Sequence, residues 1–416
     1  MVQVIEASEC PHFPKFDPLD PEQVVNPFPI LAEARKEKPV FYMPEYDLWV
    51  VTRFKDVQTI YRDLKTYSNA EMHEPRMPRT PEVVKRKGED WHIPMDGLLN
   101  RLDGADHMRV KKVLFNELTR AINGIDAWLN DWLNELVDGF IDDREVDIIE
   151  SFSWCISVST IARLLDASET DAAKFREWSE NWFELSGSDQ LTHEHADICW
   201  QGFADFEEFA IRLIDARRAD PGNDIVSKLI EAQEKGAQLS YRELVTNILG
   251  LVVAATDTTA NSIGMMMYSL AVDQDLQKRL RNEEALRASF IEELLRARGP
   301  LRGVVRKIYE PVELSGISIP AGATLYVHIS SASRDEETFT DPEIFDPERA
   351  NARKHFAFGS GARMCIGAAL ARLEIRKALD VFLDRVPQFG LSDPSQGLTY
   401  SQNIIGPALH SVKVCW

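Results

Sequence analysis

The stretch from Ser240 to about Ala271 constrains this chain more than any other feature. Ser240-x-x-Glu243 is a capping box, in which the serine oxygen and the glutamate side chain each satisfy an amide of the first helical turn. Apolar residues then cover most of the helical surface that follows. A helix apolar on nearly every side has to be surrounded by protein, so the pattern predicts a long helix through the middle of the fold. Its most apolar part, Ile248 to Ala255, is far shorter than the ~20 residues needed to cross a bilayer.

Around that helix, residues from about 107 to 300 carry apolar positions at three- and four-residue spacing, which predicts an almost wholly helical region. Asn26-Pro27-Phe28-Pro29 opens an amphipathic stretch. Two short β-like runs follow, Val40–Met43 and Leu48–Thr52, separated by the turn residues Pro44 and Asp47. A second β-rich section runs from Val304 to His328, with turns at Ser315-Gly316 and Pro320-Ala321-Gly322. Residues 73–104 are rich in Pro and Gly and read as a long functional or mobile loop. A helix from about Ile366 to Leu383 and a final irregular or β segment end the chain. The expectation is a mainly α fold with a small β region, forming a single domain over 1–416. Its β-containing parts are mainly 35–70, 304–328 and 385–416, and its helical part is mainly 107–300.

Composition narrows the function classes. The 416 residues are 44% hydrophobic and 27% charged, enough for a large core and unlike a disordered chain. Lys and Arg number 47 against 67 Asp and Glu, a formal charge of −20. A surface that acidic argues against nucleic acid or an anionic membrane as principal partner. The 5 cysteines, at 10, 155, 199, 365 and 415, include no C-x-x-C pair, so a reducing compartment is expected rather than a disulfide framework or zinc ribbon. The N-terminus lacks a basic segment followed by an apolar run, so no signal peptide is expected and the chain reads as soluble and cytoplasmic. His193-x-His195 lacks the i, i+4 spacing of a helical ligand pair and reads as solvent-exposed, not as a metal site.

The segment Phe358-Gly359-Ser360-Gly361-Ala362-Arg363-Met364-Cys365-Ile366-Gly367 carries the chemistry. Its glycines allow a tight loop around one cysteine, just before an amphipathic helix. Helix N-terminal amides and a nearby arginine both stabilise a thiolate. This segment resembles the haem-binding loop of the cytochrome P-450 superfamily, F-x-x-G-x-[RH]-x-C-x-G, matching at Phe358, Gly361, Arg363, Cys365 and Gly367. The resemblance implies that Cys365 is the axial thiolate of a haem b (iron protoporphyrin IX), with the metal held at Cys365. It also implies the cytochrome P-450 fold, with the long helix over the haem.

Further motifs follow in the family's order. Glu293-Leu294-Leu295-Arg296 puts an acid and a base on one helical face. The resemblance implies that the pair is buried and joined by Arg349 of Phe345-Asp346-Pro347-Glu348-Arg349. The long helix carries Ala254-Ala255-Thr256-Asp257-Thr258-Thr259. A mid-helix threonine can simply bond back to a carbonyl one turn earlier. The resemblance instead implies that Asp257 and Thr258 relay protons to iron-bound oxygen; Ala255 stands where the family usually has glycine. Arg363, Arg306 and His107 are implied partners of the haem propionates, with Lys111 in place of a second arginine. The implied pocket is lined by Trp91, Ile93, Met95 and Leu98 of the long loop, by Trp182, Phe183 and Leu185, by Leu251 and Ala254, by Val304, and by Ile404 and Ile405. Arg79, Arg86 and His92 are candidates for a substrate carboxylate.

The implied activity is monooxygenation by O2 of a small or medium hydrophobic substrate, aromatic or terpenoid-like, through hydroxylation or oxidative dealkylation. The fold accounts for the whole chain, so electrons are expected from a ferredoxin and ferredoxin reductase in trans. Arg353, Lys354, Arg363, Arg372, Lys111 and Lys112 are the expected docking cations. The alternatives are other haem-thiolate chemistry, such as peroxygenation, nitration or coupling, and a haem sensor, which would not need the Asp257–Thr258 pair.

Overall fold

The capping box at Ser240 forms as its residues dictate. Ser240 Oγ accepts from the Glu243 amide at 3.1 Å, and Glu243 Oε2 accepts from the Ser240 amide at 2.7 Å. The helix that it starts runs over Tyr241–Val272, 32 residues. It is long and apolar enough to cross a membrane, yet most of it is buried inside the protein. The structure is a computed structural model describing residues 10–93, 95–188, 191–395 and 397–416. The reading of the N-terminus rests partly on residues 1–9, which lie outside the described residues.

The chain gathers into two compact units, each assembled from segments far apart in sequence. The first comprises Met1–Met72, Ala288–Cys365 and Tyr400–Pro407. It holds a five-stranded sheet in the order Val40–Met43, Leu48–Val51, Thr324–Val327, Val304–Ile308, Tyr67–Ser68. Val40–Met43 and Leu48–Val51 pair antiparallel with Val40 opposite Val51, while Leu48–Val51 runs parallel to Thr324–Val327. Side chains alternate faces along these strands. Val40, Trp49, Val51, Leu325 and Val327 enter one apolar cluster, and Phe41, Leu48, Val50 and Tyr326 enter another. Both faces of the sheet are therefore buried, which is why these strands read as continuous apolar runs. A hairpin of Val312–Leu314 and Ile317–Ile319 turns at Ser315 and Gly316, with φ of 47° and 78°. Both central residues at positive φ suit the right-handed twist of the flanking strands.

The second unit comprises His73–Arg287, Ile366–Thr399 and Ala408–Trp416. Its core is helical and strongly aromatic. Trp178 stacks on Phe206 at 4.9 Å and Trp182 on Phe203 at 4.9 Å, joining the helix Phe175–Gly187 to the helix His193–Ala219. The C-terminal helix spans Ala368–Arg385. A three-stranded sheet forms from Glu145–Asp147, Lys413–Cys415 and Gly390–Leu391.

The segment 73–104, expected to be loop, contains a helix at Pro81–Lys87. Thr80 caps it by accepting from the Val83 amide, and Pro81 occupies the first helical position, where its missing donor costs nothing. Val83 is fully buried and secures the turn. The many prolines of this segment concealed that start signal.

Candidate active site

The cysteine loop of the first unit is built by its glycines. Gly359 and Gly361 have φ of 66° and 58°, in the left-handed region that side chains disfavour. A Cβ at Gly359 would lie 3.0 Å from the Arg363 carbonyl oxygen and 3.3 Å from the Tyr61 ring. The loop closes where the Cys365 amide donates to the Phe358 carbonyl at 2.9 Å. Of the five cysteines, Cys365 alone is exposed, and its neighbour Met364 is 47% exposed. Arg306 is buried, donates from Nη1 to the Val305 carbonyl at 2.7 Å and lies over the Tyr61 ring at 5.3 Å. Tyr61 stacks on Phe356 at 5.6 Å. Burial pushes the Tyr61 phenol up, while Arg306 and Arg363 pull against it. The implied propionate cations Arg306 and Arg363 thus gather on the tyrosine that packs behind the cysteine loop.

Glu293 and Arg296 are fully buried and bonded twice, at 2.6 Å and 2.7 Å. Arg349 Nε reaches Glu293 Oε1 at 3.1 Å. Arg296 also donates to the carbonyls of Ser333 and Pro342, both at 3.0 Å, and Arg349 to that of Thr340 at 2.6 Å. The structure therefore brings Glu293, Arg296 and Arg349 into one network, whose remaining donors fasten segment 333–342. A second buried pair, His355 Nε2 with Glu292 Oε2 at 3.2 Å, fastens the approach to the loop. Sequence reading missed it.

In the second unit, Asp257 is buried within the long helix. Burial pushes its carboxyl up to about 7; Glu180 adds to the rise, and Asn261 and Arg176 oppose it. Thr258 Oγ1 donates to the Ala254 carbonyl at 2.8 Å, the back-bond open to any mid-helix threonine. With its proton so placed, the hydroxyl oxygen is left as an acceptor. Asn261 ties the site together, donating to the Asp257 carbonyl at 3.0 Å and accepting from the Leu409 amide at 2.8 Å. Ala254 is exposed although Val252, Val253, Thr256 and Asp257 beside it are buried. A helix core opened at one small residue presents a surface for something other than its own side chains.

His107 is buried; Lys111 is half-buried. Arg109, between them, is committed to Glu243 at 2.6 Å and Asp106 at 2.9 Å, which hold its pKa up. Ile93, Leu98, Trp182 and Leu251 are buried in one apolar cluster, with Trp91 at its edge. Asn247 holds the Leu98 segment, accepting from the Leu99 amide at 2.9 Å and donating to the Gly97 carbonyl at 2.8 Å. Trp91 donates from Nε1 to Glu207 at 2.8 Å and packs edge-on against Trp200, so it anchors its segment to the helix His193–Ala219. Val304 and Ile404 are buried in separate clusters of the first unit. His73 was missed: its ring packs edge-on against Trp182 and Phe183, at 6.0 Å and 6.2 Å. His73 Nδ1 and Trp182 Nε1 are buried, with no hydrogen-bond partner among the described residues. Burial, helped by Arg101, holds His73 down to about 4, so its ring is neutral at pH 7.

These features fit a haem. An exposed cysteine stands on a glycine-shaped loop, the buried Arg306 and half-buried Arg363 gather at Tyr61 behind it, and the long helix is opened at Ala254 beside an acid and an alcohol. The family model described as "Cytochrome P450" matches residues 181–389. The cytochrome P450 monooxygenase PikC of Streptomyces venezuelae is 30% identical, over 94% of this chain and 91% of that protein. This chain belongs to the cytochrome P450 family. Cytochrome P450 107B1 of Saccharopolyspora erythraea is 29% identical, over 88% of this chain and 89% of its own. Among solved structures, cytochrome P450 CREJ in complex with (4-ethylphenyl) dihydrogen phosphate matches with a TM-score of 0.90 and 25% identity, covering 96% of this chain and 99% of that one. CYP109E1 from Bacillus megaterium with testosterone matches at 0.85 and 28%, over 95% and 99%. As a P450, the protein is an oxygen-incorporating oxidoreductase that carries haem b on a cysteine thiolate.

Proposed function

We propose that this P450 hydroxylates or oxidatively dealkylates a small or medium hydrophobic substrate, aromatic or terpenoid-like, with Cys365 as the haem thiolate and Asp257 and Thr258 as its proton relay. Haem iron, when bound, supplies the activation of O2 and the oxidation of a C–H bond. The chain's own residues supply position, dryness and protons. Cys365 offers the exposed sulfur, and Arg363, Arg306, His107 and Lys111 would hold the propionates, bidentately for the arginines. Glu293, Arg296 and Arg349 keep the cysteine loop in place from behind.

The observation that carries the reading is Asp257. A carboxyl buried in an apolar helix and held up to about 7 is poised between protonated and ionised forms near neutral pH. It can give a proton and take one back. Thr258, accepting through its oxygen, would orient the next donor in line. A haem sensor needs neither group. For the substrate, the support is the aromatic cluster around Trp182, together with His73 Nδ1 and Trp182 Nε1 as polar atoms facing no partner of their own. Those suit a largely apolar molecule with one hydrogen-bonding group and no charge. CYP109E1 with testosterone is in keeping with that size and character, whereas the aryl phosphate with CREJ matches the aromatic part alone and carries a charge.

Electrons would come from a ferredoxin and its reductase in trans, in the cytoplasm. Titrating the purified protein with aromatic ethers, terpenoids, aromatic acids and fatty acids tests the substrate class. A low- to high-spin shift of the ferric Soret band is expected with the neutral aromatic or terpenoid members. A shift with the acids alone would overturn the neutral pocket, and turnover that consumes peroxide but not O2 would overturn the relay.

A further inference from the structure

Three different metal-ligating side chains converge where the helix Phe175–Gly187 ends and the helix His193–Ala219 begins. Glu184 lies in the last turn of the first helix. His195 and Cys199 are spaced i, i+4 in the opening turns of the second and so share one face. Thr192 caps that second helix, accepting from the His195 amide at 3.2 Å, so the backbone beneath the cluster is regular. The donor atoms of Glu184, His195 and Cys199 all lie within 4.8 Å of one another. Glu184 Oε2 touches His195 Nε2 and stands 3.4 Å from Cys199 Sγ.

We propose that Glu184, His195 and Cys199 form a binding site for one zinc ion, clipping the two helices together. Ligand lengths of ~2.3 Å to sulfur and ~2.0 Å to oxygen at a tetrahedral angle place such donors about 3.5 Å apart, close to the observed sulfur–oxygen separation. One thiolate, one imidazole and one carboxylate are a borderline donor set of the kind zinc prefers over calcium or magnesium. Two anionic ligands neutralise the dication. Cys199 is fully buried, whereas His195 and Glu184 are 49% and 39% exposed, so the cation would enter from solvent and keep a water as fourth ligand. A cysteine thiol is ordinarily protonated at pH 7 and zinc binds the thiolate, so forming the Zn–S bond releases one proton to the buffer, while His195 binds through Nε2 with its proton on Nδ1.

The test uses the haem-loaded protein, stripped of other metals and titrated with zinc chloride. One zinc per chain is expected, with a binding enthalpy that varies with buffer as one proton is released. The zinc absorption edge should show one sulfur at ~2.3 Å with lighter ligands near 2.0 Å, a signal separate from that of iron. Cys199→Ser should abolish the sulfur shell and, like His195→Gln, weaken zinc binding by tenfold or more, while His193→Ala should leave it unchanged. The haem spectrum of each variant reports folding, and the edge measurement on the unaltered protein needs no variant at all. No stoichiometric zinc, a shell of light atoms only, or equal affinity in Cys199→Ser would overturn the site and leave the three groups as a hydrogen-bonded helix junction.

Discussion

Asp257 shows how a single buried group ties stability to chemistry. Its carboxyl is held up to about 7 from an ordinary 3.8, so the folded protein keeps a proton that the unfolded chain releases from about pH 4 upward. The resulting stabilisation is complete below about pH 4 and is lost as pH rises to about 7, up to about 4 kcal/mol in all. Asp257→Asn should remove that loss. Urea unfolding at about pH 5 and about pH 8 should show a smaller fall in midpoint for the variant than for the unaltered protein. The same variant should turn over about 100-fold more slowly, with more of its O2 diverted to peroxide, because a positioned proton donor is worth at least that factor. Cys365→Ser should retain the fold, judged by far-UV circular dichroism, yet lose the thiolate signature in the reduced carbon monoxide spectrum, since only the sulfur donates that electron density.

Elements are held by buried polar groups as much as by apolar ones. Glu293 accepts from Arg296, Arg349 and the Asp346 amide, and none of these partners is replaceable by water in a fully buried site. Glu293→Gln leaves two guanidinium groups short of their counter-charge and should cost about 3–5 kcal/mol, seen as a lower urea midpoint and as easier haem loss on heating. At the other end of the range, Ser240→Ala removes one cap from the long helix and should cost about 1 kcal/mol. Its haem spectrum should be unchanged, because the cap lies more than a dozen residues before Asp257. The unequal costs follow from burial: a helix end can borrow water for an unmet amide, and a buried ion pair cannot.

For the molecule as a whole, a charge of −20 makes the encounter with the proposed ferredoxin, if that donor is acidic too, unfavourable except where cations cluster. Replacing Lys112 and Lys354 by Glu should slow reduction by ferredoxin several-fold at low ionic strength, with the difference shrinking as salt is raised. Stopped-flow reduction of the substrate-bound protein measures this, and equal rates at low salt would remove these lysines from the docking surface. What the sequence determined by itself was whatever depends on neighbours along the chain. The long apolar helix and its capping box, the β runs within 40–52 and 304–328, the Ser315-Gly316 turn and the glycine-shaped cysteine loop all follow from local spacing and backbone preference. The Thr80-Pro81 helix start was also local, but a background of prolines masked it. The tertiary structure alone decided what depends on distance through space. Only folding shows that Asp257 is buried deeply enough to titrate near 7, that Asn261 ties it to Leu409, and that His73 meets Trp182. Only folding brings Glu184 beside the His195–Cys199 pair, whose i, i+4 spacing went unnoticed beside the more obvious His193-x-His195. Burial and charge proximity are set by which segments pack together, and no pattern within one segment encodes them.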